Sequence, residues 1–187
     1  MDLRFGAPDA LVKRYNLARL TPLPSVESPS FVYLGVLADG KTAIFLNPSE
    51  AAASGDAVCD PSPEDCQRVT MKKGDSALFD VATVDGGTTQ YQLDIDDIAE
   101  LRADTPEEAA ASRNRESEAG RVILRRLVNE VGSIVADLNY SAKKGEVVEE
   151  TRPEQPKSEP TPPPTPGKEP EVAEPAPADP PAPAPTN

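Results

Sequence analysis

The sequence predicts a mainly β protein: a small antiparallel five-stranded sheet or part-closed barrel over 31–98, then a C-terminal amphipathic α-helix within 105–144 and a disordered, acidic, proline-rich tail over 145–187. Three observations carry this reading. Short runs of β-branched and aromatic residues recur between 31 and 95, parted by Asp-Gly turn pairs. Thr105-Pro106-Glu107-Glu108 is a helix-start signature, and apolar residues at heptad spacing follow it. Fourteen of the 22 prolines lie after Arg152, where they exclude helix and interior strand.

Residues 1–30 read as an extended lead-in across the domain surface. Leu17-Ala18-Arg19-Leu20 is its apolar patch, and Pro22, Pro24 and Pro29 impose an extended path. Phe31-Val32-Tyr33-Leu34-Gly35-Val36-Leu37 is apolar on both faces, the pattern of a central, doubly covered strand. Asp39-Gly40 supplies the positive φ of a tight hairpin turn, and Thr42-Ala43-Ile44-Phe45-Leu46 is the returning strand. A Pro-, Ser-, Asp- and Gly-rich loop carries Cys59 and Cys66 to a third strand, Gln67-Arg68-Val69-Thr70-Met71. Lys72-Lys73-Gly74-Asp75 turns the chain into a fourth, Ala77-Leu78-Phe79-Asp80-Val81. After Asp85-Gly86-Gly87, Tyr91, Leu93 and Ile95 alternate with Gln92, Asp94 and Asp96, so one face of the fifth strand is buried and the other wet.

Thr105 caps the helical segment, with Pro106 at its first position. Leu124, Leu127, Val131, Ile134 and Leu138 form an apolar stripe. Two readings of it stand open: the stripe packs on the β-domain, or it sits partly clear of it and binds a protein partner or a second copy. Gly120 and Gly132 are possible breaks and Gly145 a stop. The tail reads as a spacer, with one PxxP in Arg152-Pro153-Glu154-Gln155-Pro156.

Composition removes most chemistries. Without histidine the chain has no Ser-His-Asp or Cys-His set and no histidine-bearing zinc site, and two cysteines cannot supply four thiolates. A net charge of −13 argues against nucleic acid as a partner. No run of 18 apolar residues is present. Asp94, Asp96, Asp97 and Glu100 form the densest carboxylate cluster, but a calcium loop opening at Asp94 needs glycine and glutamate where Ala99 and Thr105 stand. That cluster reads as the wet face of a strand. Arg113, Arg115, Arg121, Arg125 and Arg126 interleave with Glu116, Glu118 and Glu130 and read as a solvated, internally paired face. No catalytic residue, metal ligand or cofactor is assigned.

Cys59 and Cys66 in one turn-rich stretch read as a local disulfide and hence an oxidising compartment. The first residues carry no signal-peptide pattern, which taken alone reads as cytoplasmic. The two agree if an anchor or signal lies upstream.

Several stretches resemble a known family: Arg4-Phe5-Gly6, Leu20-Thr21-Pro22-Leu23-Pro24, the run from Tyr33 to Leu46 through Asp39-Gly40, Cys59-Asp60-Pro61-Ser62-Pro63-Glu64-Asp65-Cys66, Gly74-Asp75, Leu78-Phe79-Asp80-Val81 and Tyr91-Gln92-Leu93-Asp94. In that order they resemble an actinobacterial envelope family associated with type IV pilus-type assembly. The strand rhythm is also similar to the periplasmic β-domains of inner-membrane platform proteins in pilus and type II secretion machines. The resemblance implies an anchored accessory component of such a platform, and no active-site residue. The expectation is a non-enzymatic, extracytoplasmic module that binds protein through a strand edge or hairpin tips, with membrane contact only through an anchor this chain lacks. The alternative is a small cytoplasmic adaptor with reduced cysteines.

Overall fold

The computed structural model describes residues 1–150 apart from 48, 50, 84 and 100–102, and over 128–134 it describes the backbone alone. The described residues form one compact unit. The mainly β expectation holds, but the strands form two five-stranded antiparallel sheets rather than one.

The lead-in is the first departure. Leu3 and Phe5 alternate with Arg4 and Gly6, and Pro8-Asp9 turns the chain, so residues 1–14 form a hairpin of β1 (Asp2–Ala7) and β2 (Ala10–Arg14). A short β3 (Pro22–Pro24) follows. The five expected strands are present as β4 (Pro29–Val36), β5 (Thr42–Leu46), β8 (Asp65–Lys72), β9 (Ser76–Ala82) and β10 (Thr88–Asp97). Two more, β6 (Ala51–Gly55) and β7 (Val58–Ser62), occupy the stretch expected as a loop. Their Ala, Ser and Pro content masks them as strands, yet both lie at sheet edges, where such residues are tolerated.

Sheet I runs β2-β1-β10-β9-β6 and sheet II runs β3-β4-β5-β8-β7. Their facing surfaces share one core, Leu3, Phe5, Phe79, Leu93 and Ile95 from sheet I against Phe31, Tyr33, Phe45, Val69 and Met71 from sheet II. Phe31 bridges the layers, its ring 5.5 Å from that of Phe5 and 4.9 Å from that of Phe79. The alternation read in β10 is the observed register: Leu93 and Ile95 are buried and Tyr91 packs against the same core. Asp94 on the opposite face is also buried, because Arg4, directly across on β1, holds it at 3.1 Å and Ser76 donates to it at 2.6 Å.

Sheet II is covered on its other face too, as the two-sided apolar pattern of β4 requires. Val32, Leu34, Ile44 and Leu46 meet Leu20, Leu127 and Val147 in a second cluster. The covering layer is where the helical expectation fails. The segment expected to be helical over 105–144 is two helices and a hairpin: α1 (Pro106–Arg113), α2 (Glu118–Val135), β11 (Leu138–Ser141) and β12 (Glu146–Glu149). Thr105 caps α1 as expected, accepting from the Glu108 amide at 3.1 Å. The break falls before Ser117, which caps α2 by accepting from the Gly120 amide at 3.2 Å. Neither Gly120 nor Gly132 interrupts α2. Gly120 instead admits another strand of chain: a Cβ there would lie 2.7 Å from the Leu20 carbonyl carbon and closer still to its oxygen. Gly145, expected as a helix stop, turns the β11–β12 hairpin at φ +81°.

Candidate functional site

Cys59 on β7 and Cys66 on β8 are joined by a disulfide, with Cα atoms 5.0 Å apart. The bridge ties an edge strand to its only partner in the sheet, and Cys66 is fully buried in the core between the sheets.

Of the expected partner-binding stripe, Leu127 is buried in the second cluster and Leu124 packs beside it. Leu138 joins that cluster from β11, so the stripe is not one helical row. The side chains of Val131 and Ile134 lie outside the described residues. Heptad arithmetic carried Leu138 into the helix because it cannot see where a helix ends. The carboxylates of β10 are each engaged by cations: Asp96 by Arg4 at 3.2 Å and Lys13 at 3.1 Å, Asp97 by Lys73 at 2.7 Å. The Lys73 ammonium holds Asp97 below the ordinary carboxylate range. Glu100, the fourth member of that cluster, lies outside the described residues.

Two features that the sequence did not mark stand out. The first is the edge of sheet I. Of the four edge strands of the two five-stranded sheets, β3 carries Pro22 and Pro24, β7 carries Pro61 and the disulfide, and β6 is met from the side by the β7–β8 turn, Ala53 donating to the Pro63 carbonyl at 2.7 Å. Among the described residues β2 has no strand on its outer side. Its register places Ala7 opposite Ala10 across a two-residue turn, a hydrogen-bonded pair, so the amides of Leu11 and Lys13 point outward. Val12 on β2 is 51% exposed and Tyr15 just beyond it 67%.

The second is a cleft of about 360 Å³ where the covering layer meets the end of β4. The segment between β2 and β3 supplies Asn16 to Arg19, β4 and its exit supply Tyr33 and Gly35 to Leu37, α1 supplies Ala109, Ser112 and Arg113, and the β11–β12 hairpin supplies Tyr140 and Lys144 to Glu146. Arg115 closes it from the link between the helices. The Arg19 guanidinium lies over the Tyr140 ring, 3.9 Å from its centre, and pairs with Glu116. The Tyr140 hydroxyl donates to the Arg113 carbonyl. Arg115 donates to the Asn16 side chain at 2.7 Å. Glu146 is the single carboxylate among the described lining residues. Lys144 stands 3.1 Å from it, near enough for attraction but not aligned as a hydrogen bond. Burial pushes the Tyr33 hydroxyl well above the ordinary tyrosine range, with Tyr140 adding to the effect, so it stays protonated. The Nε–H groups of Arg19 and Arg113 are buried with no acceptor among the described residues. A smaller apolar cavity of about 180 Å³ adjoins, lined by Leu20, Leu34, Leu124, Val135, Leu138 and Val147, and shares Arg19 and Tyr140.

The sequence reading gave Arg113 and Arg115 to a solvated helical face. That holds for Arg121, 3.8 Å from Glu118 one turn away. It does not hold for Arg113, which is half-buried against the cleft; Arg115 stays exposed, and the break at 114–117 pairs it with Asn16 rather than with a helix carboxylate.

Among the described residues no helix is long and apolar enough to cross a membrane, and no group of three or more Cys, Asp or Glu is placed to hold a metal ion. No family model, no curated protein and no solved structure matches the chain. The envelope resemblance therefore rests on the residues quoted for it.

Proposed function

We propose that this protein is a non-enzymatic, extracytoplasmic interaction module, an accessory component of a pilus-type or secretion platform, that takes an extended segment of a protein partner along β2. The observation that carries the reading is the asymmetry of the sheet edges. Three are obstructed by proline, a disulfide or a crossing turn, while β2 presents outward amides beside exposed Val12 and Tyr15. An added strand would gain main-chain hydrogen bonds from Leu11 and Lys13, and side-chain contact with Val12 and Tyr15. Lys13 and Arg14 on the same strand disfavour self-pairing between copies. The disulfide fits an oxidising compartment, and the envelope placement follows the family resemblance.

The test is site-specific photo-crosslinking in cells, with the reactive residue at position 12 or 15 and, as the control, at Val122, which is equally exposed on α2. Adducts with a pilus or secretion component from 12 and 15 alone support the reading. Their absence at both positions sinks it. Leu11→Pro removes one outward amide without touching the β1–β2 ladder and should abolish those adducts.

A further inference from the structure

We propose that the cleft between β4, α1 and the β11–β12 hairpin is a binding site for a phosphate monoester, independent of the strand edge. Arg19, the neighbouring Arg113 and Arg115, and Lys144 come from three separate stretches of a chain whose net charge is −13, and they converge on one concavity of about 360 Å³. Chance solvation of basic residues in an acidic protein would pair them with carboxylates. Here Arg19 has Glu116 and Lys144 has Glu146, while Arg115 is held by a neutral asparagine, and among the described residues no carboxylate pairs with Arg113.

The second observation is that the cations are preorganised. Two guanidiniums are held in place: Arg19 is stacked on Tyr140, and the Arg113 stem lies against Gly145, where a Cβ would come within 2.7 Å of it. A tetrahedral oxyanion with two negative charges offers three acceptor oxygens and matches the excess positive charge better than a single carboxylate does. Leu37 adds an apolar side chain to the lining, which suits the organic part of an ester.

The experiment is calorimetric titration of the full oxidised chain with inorganic phosphate, glycerol 3-phosphate and acetate, together with flotation on phosphatidylcholine vesicles with and without phosphatidic acid. Saturable one-site binding of phosphate or its ester, tighter than acetate by about tenfold or more, supports the proposal. Binding of soluble glycerol 3-phosphate assigns a free ester, and binding confined to phosphatidic acid vesicles assigns a lipid headgroup. Arg113→Gln and Arg113→Lys should each weaken binding by about tenfold or more, since the lysine keeps the charge but loses the fork. Arg126→Gln, an exposed cation on α2, should leave it unchanged. Should thermal unfolding show both Arg113 variants misfolded, Lys144→Gln decides in their place, because that side chain is 70% exposed. No saturable binding by any probe, acetate binding as tightly as phosphate, or equal losses in Arg126→Gln and the cleft variant would each overturn the proposal, leaving a cleft filled by water.

Discussion

Asp39 closes the β4–β5 hairpin, accepting from the Lys41 and Thr42 amides at 2.9 Å each and from the Thr42 hydroxyl at 2.6 Å. The Thr42 bond is the main reason its carboxyl sits below the ordinary range. A carboxylate with a lowered folded pKa stabilises above its unfolded value and loses that contribution as pH falls through the folded one. Asp39→Asn should therefore lower the melting temperature at neutral pH by an amount equivalent to about 0.5 kcal/mol, solvent screening included. It should match the parent once both states are protonated, and thermal scans from pH 2 to 7 check this. Gly120 inverts a familiar rule. In an ordinary helix interior, Gly→Ala gains about 1 kcal/mol. Here the new methyl meets the Leu20 backbone, and Gly120→Ala should cost about 2–3 kcal/mol in urea unfolding. The Thr105 cap was legible because its signature lies within four consecutive residues. The role of Gly120 was not, because its partner, Leu20, is remote in the chain and holds an unusual φ of 60°.

Strand β4 carried its whole environment in its pattern: apolar on both faces, it had to be covered twice, and it is. What covers it could not be read, because β11 and β12 are short and Leu138 fits a heptad as well as a strand. The layer is pinned by Arg68 of β8, which reaches Asp60 at 2.9 Å, Asp137 at 3.1 Å and Glu149 at 3.8 Å while only 15% exposed. Arg68→Ala should cost about 1–3 kcal/mol, and hydrogen exchange should show the loss concentrated in β11 and β12. Leu127→Ala, at the centre of the covered face, should cost about 2–3 kcal/mol by the same unfolding assay. The cysteine hairpin was legible as a bridge but not as two strands. Reduction should lower stability by about 2 kcal/mol, in keeping with the short loop it closes. Unfolding midpoints with and without reductant measure it.

For the whole molecule, Leu124 and Leu127 of α2 and the outer face of sheet II account for each other. A chain ending at residue 104 bares Val32, Leu34, Ile44 and Leu46. It should be less stable and self-associate in sedimentation velocity at micromolar concentration, whereas a chain ending at 152 should sediment as a monomer. The reverse, a monomeric 104-residue fragment, would mean that the helical layer is dispensable. The pairing of β1 with β10 has a consequence in time. Arg4 finds Asp96 across 92 residues, so the β1–β2 hairpin is made long before it can be seated. Folding limited by such distant pairings runs on the millisecond-to-second scale rather than in microseconds. Whether the chain leaves a ribosome or threads a translocation channel, β1 must wait, unpaired on one side, until almost the entire sandwich has followed it out.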